Sequence, residues 1–140
     1  TPEVQAAIGR NQTAAETCGL VDHARRRGFS RGINVDLVYG LPKQTPDAFD
    51  RNLDEVSRLR PDRLALYSFA YVPWQKGHQK RLPLADLPDA HAKLALHRRA
   101  RERLLAEGYE AIGLDHFALP DDPLAQAARS GRLRRTFMGY

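Results

Sequence analysis

One cysteine, one tryptophan and one methionine are all that the 140 residues hold of these types, and aromatic side chains make up only 8% of the chain. These scarcities remove several classes of protein at once. The lone Cys18 cannot close an internal disulfide, and it cannot by itself ligate zinc or an iron–sulfur cluster. No apolar stretch approaches the roughly 20 residues needed to cross a bilayer. The first residues lack the basic, apolar and small-residue zones of a secretory leader, so a cytoplasmic protein without membrane contact is expected. Gly40-Leu41-Pro42-Lys43 lacks the glycine spacing and the Lys-Ser/Thr end of a P-loop, and no nucleophile elbow occurs. His23, His78, His91 and His97 have no metal-ligand spacing and read as solvated side chains. Internal repeats, low-complexity tracts and domain boundaries are also missing, so residues 1–140 read as a single domain of ordinary soluble composition.

What the chain has in quantity is basic charge. The net charge of +5 comes mainly from arginine, in Arg25-Arg26-Arg27, in the stretch 98–103, and in Arg132, Arg134 and Arg135. The first two clusters interleave with apolar positions on expected helices and have no aromatic residues between them for base stacking. They read as solvated helix faces, and nucleic acid is not an expected partner. The third, beside Thr136, Phe137 and Tyr140, leaves attraction of a polyanion and simple solvation equally open.

Periodicity places the elements. Thr13-Ala14-Ala15-Glu16 has the pattern of a capping box, opening a helix with Cys18, Val21 and Ala24 on one stripe and Gly28 at its end. The run 33–39 reads as a strand. Thr45, with Pro46 in the first turn, starts a second helix carrying Phe49, Leu53, Val56 and Leu59 until Pro61 stops it. Residues 63–70 favour a second strand. The stretch 71–88, punctuated by Pro73, Gly77, Pro83 and Pro88, reads as a long surface excursion, and such loops often carry function. Asp89 opens a third helix with Ala92, Leu96, Ala100 and Leu104, closed by Gly108. A third strand is expected at 109–114, with Asp115-His116-Phe117 leaving its end, and a last helix over 123–129. Strands alternating with helices imply right-handed crossovers and a parallel sheet. Three strands cannot close a barrel, so the chain is expected to be an open α/β sheet or part of something larger.

Within Ile33-Asn34-Val35-Asp36-Leu37-Val38-Tyr39, the apolar run suggests a strand covered on both faces, and Asp36 would then need a fixed partner, because an unpaired buried carboxylate costs several kcal/mol. That partner is either a ligand or a protein group such as Arg10 that merely orders the sheet. Asp36, residues 68–70 and Asp115-His116 are expected at the carboxyl-terminal halves of strands or just beyond, where α/β sheets and barrels place ligands. Asp115 and His116, as neighbours on a strand, would point to opposite faces and not serve one another, with Asp115 capping the following turn.

Three segments carry a family likeness: Asn34-Val35-Asp36-Leu37-Val38-Tyr39-Gly40-Leu41-Pro42-Lys43-Gln44-Thr45; Pro61-Asp62-Arg63-Leu64; and Gly108-Tyr109 through Gly113-Leu114-Asp115-His116-Phe117-Ala118 to Pro120-Asp121-Asp122. Together they resemble the oxygen-independent coproporphyrinogen III oxidases of anaerobic haem synthesis, and the likeness spans nearly all of the chain. The Tyr-Gly-Leu-Pro-x-Gln-Thr portion is shared with related radical S-adenosylmethionine proteins, including haem chaperones. Lys43, the Asp-His-Phe-Ala run and the closing Phe137-Met138-Gly139-Tyr140 point to the oxidases. The resemblance implies parallel βα units forming part of a TIM-like (β/α) partial barrel, truncated here. Residues 1–140 would be the later half of that barrel and the start of the region that follows.

The resemblance further implies a [4Fe–4S] cluster and two molecules of S-adenosylmethionine in the full-length protein, an unspecified electron donor, and a monomeric enzyme. The expected reaction converts two propionates of coproporphyrinogen III to vinyl groups with loss of carbon dioxide, giving protoporphyrinogen IX. By motif match Arg10 and Asp36 would hold one S-adenosylmethionine, guanidinium to carboxylate and aspartate to ammonium or ribose hydroxyls, while Tyr67 and Ala70 would line the adenosine of the other. The cluster motif Cys-x-x-x-Cys-x-x-Cys is missing, so no metal ligand is expected in this chain and the fragment alone is expected to be inactive. No catalytic residue is assigned. The rival readings are a haem-binding or haem-delivering relative, disfavoured by Asp115-His116-Phe117-Ala118, and an unrelated barrel hydrolase using Asp36 and His116.

Overall fold

Helix boundaries follow from side chains that satisfy the unpaired N–H groups of a first turn. A computed structural model describes residues 1–29 and 31–134, and four of its helices start on such a cap. A short helix α1 (Pro2–Ala7) precedes α2 (Ala14–Arg26), where Thr13 and Glu16 form the reciprocal capping box, Glu16 N–H to Thr13 Oγ1 at 3.1 Å and Thr13 N–H to Glu16 Oε2 at 2.7 Å. Strand β1 (Asn34–Tyr39) leads into α3 (Pro46–Leu59), capped by Thr45. After β2 (Arg63–Ser68) the chain makes two 3₁₀ turns, Gly77–Arg81 and Leu84–Asp86, before α4 (Ala90–Ala106), capped by Asp89. Strands β3 (Glu110–Gly113) and β4 (His116–Ala118) precede α5 (Pro123–Arg129), capped by Asp122.

The strands form one sheet in the order β1-β2-β4-β3. β1 and β2 are parallel, as the alternation of strands and helices predicts, but β4 is antiparallel to both β2 and β3. The fold class therefore holds as α/β, with a correction to the sheet. Residues 109–117 are a hairpin rather than one strand and an exit. Leu114 and Asp115 make its two-residue turn, Leu114 takes a left-handed φ of +44°, and a bulge sits between Ala111 and Gly113. The tight turn folds the chain back between β2 and β3.

The core lies on one side of the sheet. Leu37, Leu64, Leu66 and Phe117 pack against Phe49, Leu53 and Val56 of α3 and Leu96, Ala100 and Leu104 of α4. These positions alternate along each strand with Asn34, Asp36, Arg63, Tyr67 and His116, which therefore face away from α3 and α4. The expectation that β1 is covered on both faces is thus wrong: Leu37 is buried while Asp36 is exposed.

Candidate functional site

Register brings the polar candidates together. Asp36 pairs with Ala65, and Ala65 pairs with His116. Directly paired residues project to the same side of a sheet, so Asp36, Ala65 and His116 form a row across three strands, with Tyr67 next to Ala65 on the same face. The Tyr67 ring stands edge-on to the His116 imidazole, centroids 6.5 Å apart. Burial raises the Tyr67 phenol above its usual pKa, and the nearby carboxylates of Asp36 and Asp115 add to the rise. The phenol accordingly remains protonated at neutral pH, a donor and flat face rather than a base. Asp36 accepts a hydrogen bond from the Asn34 amide at 2.8 Å.

Asp115 and His116 do serve one another, against expectation. His116 Nδ1 and Asp115 Oδ1 are 2.7 Å apart. Asp115 belongs to the hairpin turn rather than to a strand, so the alternation of a strand does not apply to it. Its carbonyl accepts from Leu66 N–H at 2.7 Å, fixing the turn against β2. Asp36 is the third of the six residues of β1, nearer the middle of the strand than the expected carboxyl-terminal half.

Arg10 is exposed in the connection from α1 to α2. It lines a cleft of about 500 Å³, and Asp36 lines an adjoining one of about 240 Å³. Thr1, Gln5, Gln12, Thr13 and Ala14 border both clefts, and the second is also lined by Val35, Leu37 and, on α3, Asn52, Glu55, Val56 and Leu59, the side of β1 opposite the Asp36 carboxylate. Ala70 is exposed beyond the end of β2.

Several residues that shape this region escaped sequence reasoning. Gln44 is buried; its Oε1 accepts from Gly40 N–H at 2.7 Å and its Nε2 donates to Val38 O at 3.1 Å, latching the turn after β1. Lys93 of α4 crosses the same turn and donates to Phe69 O at 2.6 Å. Gly40, at φ +82°, makes room for it, because a Cβ there would lie 2.5 Å from Lys93 Cε. Gln79, also buried, holds Ala70 O at 3.0 Å and Val72 N–H at 2.6 Å. A polar residue inside an excursion gives no signal of its burial. Gln44, by contrast, stands within the Gly-Leu-Pro-x-Gln-Thr segment, and that setting could have marked it.

The arginines of 98–103 lie on a largely solvated face, as expected, but two of them also form ion pairs. Arg99 pairs with Asp50 at 2.7 Å and Arg103 with Asp54 at 3.0 Å, cross-linking α4 to α3. Arg135 and the segment Thr136 to Tyr140 lie outside the described residues. Among the described residues no group of three or more His, Cys, Asp or Glu side chains is placed to hold a metal, and no helix is long and apolar enough to cross a membrane.

No family model matches the chain. The oxygen-independent coproporphyrinogen III oxidase of Pseudomonas aeruginosa is 51% identical over 138 residues, 99% of this chain and 30% of the relative. That of Paracoccus denitrificans is 47% identical over 139 residues, 99% of this chain and 31% of the relative. Among solved structures, coproporphyrinogen III oxidase (HemN) from Escherichia coli, a radical SAM enzyme, superposes with a TM-score of 0.94 at 44% identity, covering all of this chain and 32% of the other. The chain spans about three-tenths of the length of these relatives. Over all of its length the chain is similar, in sequence and in fold, to a segment of the oxygen-independent coproporphyrinogen III oxidases.

Proposed function

We infer that the chain is the later half of the barrel of an oxygen-independent coproporphyrinogen III oxidase, together with the start of the region that follows. The full-length protein then converts two propionates of coproporphyrinogen III to vinyl groups with loss of carbon dioxide. One observation carries this reading beyond likeness: the row Asp36, Ala65, His116, with Tyr67 beside it, gathers acid, imidazole and phenol on the sheet face left open by α3 and α4. That face would be the barrel interior.

The residues present do not fit a [4Fe–4S] cluster. Cys18 is the single cysteine of the chain, so the cluster ligands belong to another part of the full-length protein, which also receives its electron from a separate donor. The residues do fit S-adenosylmethionine. Arg10 suits the methionine carboxylate of one molecule and Asp36 its ammonium or ribose hydroxyls. Tyr67 offers a flat apolar face and Ala70 a small surface to the adenosine of a second. Bound there, S-adenosylmethionine would supply radical chemistry, and this chain's residues would bind, orient and shield it. The full-length protein is read as a cytoplasmic monomer without nucleic-acid or membrane partners.

Anaerobic incubation of the full-length protein with coproporphyrinogen III, S-adenosylmethionine and a reductant tests the reading. Protoporphyrinogen IX is the expected product. Stable haem binding without any vinyl product identifies a haem carrier instead, and turnover of an ester or amide without a cluster identifies a hydrolase.

A further inference from the structure

The excursion between β2 and α4 differs in composition from the rest of the chain. Residues 71–85 include Lys76, His78, Lys80 and Arg81 but no acidic side chain. All four basic groups are exposed, and Trp74, the one tryptophan, is 75% exposed. Such a charge run is by default a solvated surface.

Two observations set it apart. The segment is fastened at its base, where buried Gln79 bridges Ala70 O and Val72 N–H, and Gln75 and Lys76 N–H both close on Val72 O at 2.9 Å. The buried amide satisfies backbone groups at the base of the segment and so gives its basic side chains a fixed platform. The segment is also placed where ligands bind. It leaves β2 just past Tyr67, and its far end meets the turn after β1, where Lys43 N–H donates to Asp86 O at 2.9 Å and Lys43 Nζ lies 3.8 Å from Asp86 Oδ2. The excursion thus runs along the carboxyl-terminal ends of both parallel strands.

We propose that Trp74, Lys76, Lys80 and Arg81 form a recognition surface for a macrocyclic polycarboxylate, whose peripheral carboxylates meet the three cations while its apolar face meets the indole. This deepens the reading above and rests on it, since the substrate named there carries four propionates. Charge complementarity of this kind steers encounter and weakens with salt. The excursion is then a specificity element, separate from the residues that hold S-adenosylmethionine.

Coproporphyrin III, the oxidised tetracarboxylate, serves as the probe, titrated into the full-length protein at low and high salt and followed by porphyrin fluorescence anisotropy. Changing Lys76, Lys80 and Arg81 together to Gln is expected to weaken binding about tenfold or more and to flatten its salt dependence. In turnover the KM for coproporphyrinogen III rises while kcat and S-adenosylmethionine affinity stay put. Wild-type-like binding by the folded triple variant overturns the proposal, and so does a wild-type protein that binds no coproporphyrin III. If the triple variant misfolds, the exposed single change Lys80→Glu takes its place with the same two outcomes. A protein that binds the porphyrin through these residues yet makes no vinyl product keeps the surface and removes the oxidase reading.

Discussion

Within this segment Asp36 is exposed on the face of β1 away from α3, with the Asn34 amide 2.8 Å from its Oδ1. Its sheet-ordering role is small, because Asn in its place keeps the shape and the contact with Asn34, and such a near-isosteric exchange shifts stability by about 0.5 kcal/mol or less. A charge-assisted hydrogen bond to a ligand contributes about 1.5–3 kcal/mol. The two roles therefore separate cleanly. Asp36→Asn in the full-length protein should weaken S-adenosylmethionine binding by about tenfold or more, read by calorimetric titration, and leave the thermal midpoint within about 2 °C of wild type. A lowered midpoint with unchanged affinity would return Asp36 to a structural role.

Elements are held at their corners by a few polar groups. Arg63 at the start of β2 places Nε 2.9 Å from both carboxylate oxygens of Asp122, whose side chain is only 2% exposed. The same Asp122 Oδ1 accepts from Leu124 N–H at 2.7 Å and so caps α5. Asp122→Ala strands a partly buried guanidinium and uncaps the helix together, an expected loss of about 3–5 kcal/mol by urea denaturation. Asp122→Asn keeps the cap and should lose less; equal losses would assign the whole effect to the ion pair. Helix starts of this kind were legible because their chemistry is local: Thr13 with Glu16, Thr45 with Pro46, Asp89, and Pro123 all announce a first turn. β4 was not legible, since three residues show no period and their pairing with β2 spans about fifty positions. The row Asp36, Ala65, His116 depends on that pairing, so its members could be suspected singly but not as neighbours. The exposure of Asp36 was partly written in β1, where Asn34 and Asp36 alternate with Val35 and Leu37. Val38 breaks that alternation and makes the strand read as buried throughout.

Across the whole molecule the sheet is lopsided, with α3 and α4 on one face and polar groups on the other, and its stability rests on joining the later strands to the earlier ones. Tyr109 makes one such joint. Its ring is 3% exposed, its hydroxyl donates to Pro61 O at 2.7 Å, and the Arg60 guanidinium lies 5.9 Å from the ring centroid. Burial above all pushes the phenol up to about 12, with Arg60 opposing and Glu107 and Asp62 adding to the rise. An unfolded tyrosine titrates near 10. Between about pH 10 and 12 the unfolded chain gives up a proton that the folded chain keeps, so the free energy of unfolding falls as pH rises. This contribution is complete below about pH 10 and fades towards pH 12, on the order of 2–3 kcal/mol in all. Tyr109→Phe has no proton to lose, but it orphans the Pro61 carbonyl and should be about 1–2 kcal/mol less stable at pH 8. Lysines and the other tyrosines titrate alike in both proteins, which makes the difference between the two stability curves the observable. Urea denaturation from pH 8 to 12 should show that difference shrinking above pH 10 and closing near pH 11 to 12; a constant gap would mean that the Tyr109 phenol ionises in the folded protein as readily as in the unfolded chain.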